Sequence, residues 1–176
     1  PGSGVTASVQ TATRYDGNYA LKIAVADGPQ ESGVWAYKNL GDAYSAINAR
    51  VYVQLTAKPV EGATLEILGF SNDGWMVNPV GLRVDIVTSN GAVQWRLNYY
   101  NNGWQDILVG SVGLNTWYCV ETRLVLGSGN GESRLYVNGA ELATKTGLTN
   151  TPTGSSARYF SLGVDDEAGS NTLNLF

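Results

Sequence analysis

The chain has 176 residues, 43% hydrophobic and only 15% charged, which suits one sandwich with a proper core and excludes disorder. A net charge of −4, a pI near 4.7 and eleven scattered basic residues exclude a nucleic-acid surface. Histidine is absent and Cys119 is the single cysteine, which removes an internal disulfide, the usual general base and the commonest transition-metal ligand. Alternation along Trp117-Tyr118-Cys119-Val120-Glu121 is expected to turn Cys119 inward as a buried thiol.

No segment holds a helical period, whereas a two-residue period recurs throughout. In chain order it predicts strands over 19–25, 34–40, 47–55, 64–70, 82–88, 93–100, 105–112, 117–126, 134–137, 141–146 and 158–164. Between them stand turn dipeptides: Asp16-Gly17, Asp73-Gly74, Asn90-Gly91, Asn102-Gly103, Asn130-Gly131 and Asn138-Gly139. Such pairs supply the positive φ that tight hairpins need. Short strands at this spacing predict antiparallel sheets, hence an all-β sandwich or barrel. No linker-like tract divides the chain, so 1–176 reads as a single domain. The opening Pro1-Gly2-Ser3-Gly4 reads as a processed or cut start. The closing Asn171-Thr172-Leu173-Asn174-Leu175-Phe176 begins one more alternating strand and is expected to leave an open edge unless something completes it. No stretch reaches the ~20 apolar residues of a membrane span.

Two blocks carry a resemblance. Asn115-Thr116-Trp117-Tyr118, then Glu121, the Gly127–Gly131 turn and Arg134-Leu135-Tyr136-Val137-Asn138-Gly139 form the first. Asp16-Gly17-Asn18-Tyr19-Ala20-Leu21-Lys22 forms the second, and the 94–108 segment matches a central hairpin. Together they resemble the laminin-G-like, concanavalin-A-like jelly roll of lectins and glucanases. The resemblance covers most of the chain and implies a jelly-roll sandwich, with an extracellular or cell-surface setting. Its motifs are structural and specify the fold rather than the activity. Relative to the usual pattern, the strand before the first motif and the closing strand are incomplete.

Three chemistries can be weighed. For catalysis, no Glu-x-Asp or Glu-x-Glu pair stands on a strand; Glu66 and Asp85 each lie in a predicted strand and could meet across a sheet, with a solvated face as the plainer expectation. The superfamily's lyases are implied to rely on His, Tyr and Arg or Gln, and histidine is missing here. For a metal, Asp165, Asp166 and Glu167 are the densest acids, and Asp16 and Asn18 would oppose them around a structural Ca²⁺ of the kind such jelly rolls hold, with an ordinary solvated acidic turn as the plainer expectation.

For sugar binding, Val93, Trp95, Leu97 and Tyr99 share one face of their strand and read as core. Arg96, Asn98 and Tyr100 share the other, beside Gln94, and Arg83 and Asp85 face outward on the preceding strand. Trp75 and Trp104 follow turns, while Trp35 and Trp117 read as core. Arg96, Asn98, Tyr100, Trp104, Trp75, Arg83 and Asp85 are therefore the candidate residues of a concave aromatic and amide platform for a polysaccharide or glycan. Two aromatic platforms covering roughly 100 Å² contribute about 2.5 kcal/mol, so one site binds weakly and acts through repetition. The expected function is a non-catalytic carbohydrate-binding or adhesion module. A structural subunit that self-associates through strand edges is the alternative, and a polysaccharide lyase or glycosidase is third.

Overall fold

The computed structural model describes residues 5–13, 15–25, 32–62, 64–73, 79–151, 156–166 and 171–175, with backbone alone at 5, 25, 32–34, 164–166 and 171–175. The described residues form strands only: β1 (Val5–Gln10), β2 (Ala20–Val25), β3 (Ser32–Tyr44), β4 (Ala46–Leu55), β5 (Thr64–Ser71), β6 (Pro79–Ser89) and β7 (Ala92–Tyr100). There follow β8 (Trp104–Ser111), β9 (Trp117–Val125), β10 (Ser128–Val137), β11 (Ala140–Thr149), β12 (Ala157–Asp166) and β13 (Asn171–Leu175). They build two antiparallel sheets, one ordered β1-β2-β13-β4-β9-β10-β11 and the other β3-β12-β5-β6-β7-β8. This is an all-β antiparallel sandwich, as the alternation allows, and the jelly roll that the resemblance implies. No helix long and apolar enough to cross a membrane occurs among the described residues.

The core lies between the sheets and is made by one phase of each strand. Val51, Val53 and Leu55 of β4 and Val120 and Leu124 of β9 face Leu82, Val84 and Ile86 of β6 and Trp95 and Leu97 of β7. The inward phase expected for 82–86 and 93–99 is the one observed. Trp95 is enclosed and meets Tyr118 edge-on at 5.4 Å across the sandwich. The turns at Asn90-Gly91, Asn102-Gly103 and Asn138-Gly139 hold the positive φ that the sequence asks for. At Asn130-Gly131 the expectation fails: those residues lie within β10, and the positive φ belongs to Gly129.

Four further differences have physical causes. The strand β1 is not signalled by the sequence, because it is an edge strand paired only to β2 and its Val9 points to solvent. The terminal strand is not an open edge: β13 is inserted between β2 and β4, bonded to both. Trp35 and Trp117, read as core, are half-buried and pair opposite Gly163 and Gln54 on the outward faces of their sheets. Cys119, read as an inward thiol, is half-buried on an outward face opposite Tyr52.

Gly81 begins the β6 stretch that carries the site. Its φ is +69°, and a Cβ there would run into Leu124 Cδ1 and lie 3.1 Å from Leu126 Cδ2. Gly81→Ala is expected to destabilise by about 1–3 kcal/mol, from overpacking added to the backbone cost. Gly17, also at φ +69° with nothing within 4 Å, carries the backbone cost alone. Urea unfolding of both variants should rank Gly81→Ala as clearly the worse.

Candidate functional site

The outward face of the six-stranded sheet collects most of the residues nominated from sequence. Cross-strand register sets their rows. Glu66 on β5 stands opposite Asp85 on β6, which stands opposite Arg96 on β7, which stands opposite Leu108 on β8. One row along, Gly69, Arg83, Asn98 and Asp106 are aligned, and beyond them Tyr100 pairs with Trp104. On the far side of β5 the rows continue through Ser161 and Tyr159 of β12 to Tyr37 and Asn39 of β3. A break of register between Glu66 and Leu68 makes Ile67 an extra residue. That bulge turns Glu66 onto the open face while Leu65, Ile67 and Leu68 all remain buried.

Glu66 and Asp85 are not solvated, which corrects the plainer expectation for them, whereas Asp106 on the same face is exposed. Asp85 is 1% exposed and Glu66 6% exposed. Arg96 Nε donates to Asp85 Oδ2 at 2.7 Å, its Nη2 reaches Thr64 Oγ1 at 3.3 Å, and Asn98 Nδ2 donates to the same Asp85 oxygen. Arg83 Nη1 donates to Glu66 Oε2 at 2.8 Å, and its guanidinium lies 4.7 Å from the centre of the Trp104 ring. Trp104 in turn meets Tyr100 edge-on at 5.6 Å.

A carboxylate sunk beneath a sheet face costs several kcal/mol unless it is paired. Here the acids are covered by the guanidinium groups they hold, and both arginines keep about a quarter of their side-chain surface exposed. Burial pushes the Asp85 carboxyl above the usual aspartate range, and Arg96, Arg83 and Asn98 pull it partly back. On this face Asp85 Oδ1, Arg83 Nε and Ser161 Oγ are buried with no hydrogen-bond partner among the described residues. Buried groups of this kind are normally satisfied by water or a ligand.

The structure therefore brings Arg83, Asp85, Arg96, Asn98, Tyr100 and Trp104 together. It corrects one role: Asp85 lies beneath the surface and holds Arg96 and Asn98, so it is not itself a contact for a sugar. Trp75 falls outside the described residues. For the metal, Asp165 and Asp166 close β12, paired with Glu66 and Leu65, and their side chains fall outside the described residues, as does Glu167. Asp16 and Asn18 are exposed in the β1–β2 loop of the other sheet, where Asp16 Oδ1 accepts from the Gly17 amide at 2.7 Å. Among the described residues no group of three or more metal-ligating acids, cysteines or histidines forms. Sequence reasoning missed Ser161, Tyr159 and Tyr37 on this face; their signal was the outward phase of β12 and β3, opposite the core residues Phe160 and Leu162.

No protein-family model and no curated protein matches the chain. Solved structures do. An endo-β-1,4-glucuronan lyase from the fungus Trichoderma reesei superposes with a TM-score of 0.77 at 15% identity, covering 97% of this chain and 84% of that one. Alginate lyase Aly36B gives 0.70 at 14% identity, with 97% and 84% covered. The cellulose-induced protein Cip1 gives 0.69 at 13% identity, with 99% and 84% covered. At these identities the likeness establishes the fold, a β-sandwich jelly roll also used by polysaccharide lyases.

The same matches correct the expectation of a non-catalytic binding or adhesion module, and with it the structural-subunit alternative. Polysaccharide lyases share this architecture along nearly the whole chain, and the reading that the protein is not an enzyme is withdrawn. A missing histidine does not by itself exclude elimination chemistry, whose proton carrier and charge neutraliser are roles open to Tyr, Arg and Asn.

Asp85 binds its proton more tightly in the folded chain than in the unfolded one, so its ionisation lowers stability as pH rises from the ordinary aspartate value through its raised one. Asn at this position carries no such dependence. Chemical unfolding across this range should show wild type losing ground to Asp85→Asn as pH increases; a constant difference would mean that Arg96, Arg83 and Asn98 offset the effect of burial in full.

Proposed function

We propose that the protein is a secreted polysaccharide lyase that cleaves a uronate-containing chain by β-elimination on the open face of the six-stranded sheet. The observation that carries this reading is the pair of partly exposed guanidinium groups, Arg83 and Arg96, each anchored on a buried acid beside an amide, a phenol and an indole. The fold shared with two polysaccharide lyases supports it.

In β-elimination a base takes the proton at C5 of the uronate. The electron pair forms the C4–C5 double bond, and the C4–O bond breaks as the leaving oxygen gains a proton. The C5 proton becomes acidic enough only when the adjacent carboxylate is neutralised. Arg96 is placed for that task, since Nε and Nη2 are fixed on Asp85 and Thr64 and Nη1 remains for a ligand. Asn98, one residue-pair along the strand, adds an amide. The phenol of Tyr100 stands next on the same face and is the proton carrier, and Trp104 offers an apolar ring against a sugar.

A two-carboxylate glycosidase is disfavoured by the same geometry, because Glu66 and Asp85 are buried and occupied by arginines rather than open to a glycosidic oxygen.

Incubation with polyglucuronate and with alginate, followed by near-ultraviolet absorbance of the unsaturated uronyl product, tests the reading. Product is expected from at least one polyuronate and none from neutral cellulose. Arg96→Lys, which keeps a cation over Asp85, and Tyr100→Phe are each expected to lower kcat by about 100-fold or more with the fold intact. Absence of unsaturated product from every polyuronate overturns the proposal.

A further inference from the structure

The opposite side of the sandwich carries a second set of ligand-competent groups that the elimination chemistry does not use. On the outward face of the seven-stranded sheet, Asn48 and Arg50 of β4 stand opposite Arg123 and Glu121 of β9. With Tyr136 of β10 they line a depression of about 380 Å³. Two residues further along β4 comes Tyr52, and Tyr15 from the β1–β2 loop lies flat on it, with ring centres 3.9 Å apart and planes within 13°. Trp117 meets Tyr15 edge-on at 6.1 Å. Tyr15 is 51% exposed and lines a second hollow of about 560 Å³ with Ala12, Thr13, Asp16 and Gly17. The outward residues of β9 from Trp117 to Arg123 span about 20 Å at ~3.3 Å per residue, the length of roughly four sugar rings.

We propose that this face is a second saccharide-binding track, separate from the open face of the six-stranded sheet, that holds a neutral polysaccharide chain. The proposal stands independently of the lyase reading. Charge chooses the ligand. Arg50 Nε and Nη2 grip Glu121 Oε1 at 2.9 and 2.6 Å, Glu132 bridges Arg123 at 2.7 Å and Arg134 at 2.8 Å, and Arg134 reaches Glu141 at 3.1 Å. Three guanidinium groups and three carboxylates thus cancel, so the ion-paired array offers a polyanion no net positive charge.

Exposed pairs of this kind add little to stability, but side by side they present donor and acceptor edges that match vicinal hydroxyl groups. Arg134 holds Glu132 below the usual carboxylate range, and Thr144 does the same for Glu141, so the array keeps its charges into acid. The stacked tyrosines supply what the ion pairs lack, a flat apolar ring at one end of the track.

Native electrophoresis through gels containing hydroxyethylcellulose or galactomannan tests this directly. Wild type should be retarded by at least one of these polymers. Tyr15→Ala and Arg50→Ala should each weaken retention about tenfold while polyuronate turnover, if present, stays at the wild-type level. Arg96→Ala should leave retention unchanged. Unretarded wild type, retention indifferent to both Tyr15→Ala and Arg50→Ala, or retention lost in Arg96→Ala would each overturn the proposal, and none of these results bears on the lyase chemistry itself. Thermal melts of the variants separate loss of binding from loss of fold, and Tyr136→Ala provides an independent probe of the depression.

Discussion

The burial of Asp85 beneath Arg96 and Asn98 is the constraint around which the open face is arranged. An acid at 1% exposure is tolerated only where partners surround it. Those partners are Arg96 and Asn98 of β7 and, through its charge, Arg83 of β6, the strand of Asp85 itself, held in turn by Glu66 of β5. Slipping any of these strands by one residue would send Asp85 or Arg96 into a core of Val84, Ile86, Trp95 and Leu97. The polar face and the apolar core therefore enforce the same register from opposite sides of the sheet.

Such pairs are poor stabilisers, since well-packed apolar residues of similar size would serve the fold as well or better. Their value lies in what they hold still. A guanidinium fixed at two of its nitrogens loses little freedom when a third meets a ligand. Arg83 is fixed twice over, by Glu66 and by the face of Trp104. The site is thus a set of flat groups already in place before a polymer arrives, which suits chemistry that depends on charge stabilised in fixed positions.

The fold was legible because one residue type per strand phase decides it. Trp95 and Leu97 inward, Arg96 and Asn98 outward follows from alternation alone, and the Asn-Gly turns at 90 and 138 fix where strands reverse. What alternation does not encode is depth. Asp85 and Glu66 occupy the outward phase as any solvated acid would, and only the neighbouring strands reveal that arginines cover them. The bulge at Ile67, which sets Glu66 on its face, leaves no trace in a period-two pattern. Edge effects were equally hidden: β1 pairs on one side only and has little apolar demand, while β13 finds its place between β2 and β4 through long-range pairing. The aromatic stack on the other sheet joins Tyr15 in a loop to Tyr52 in a strand, a contact with no local signal at all. Function was the least legible level, because a missing histidine narrows the choice of proton carrier without removing the reaction.

The central claim is that the open face of the six-stranded sheet engages a uronate chain through Arg96 and its neighbours. A crystal structure of Arg96→Lys, Tyr100→Phe protein soaked with a uronate oligosaccharide tests it most directly. Sugar density lying across β6 and β7, with a ring against Trp104 and a carboxylate beside Asn98 and the substituted position 96, is the predicted result. Density confined to the other sheet or to the strand edges, with the Asp85 cluster untouched, would contradict it.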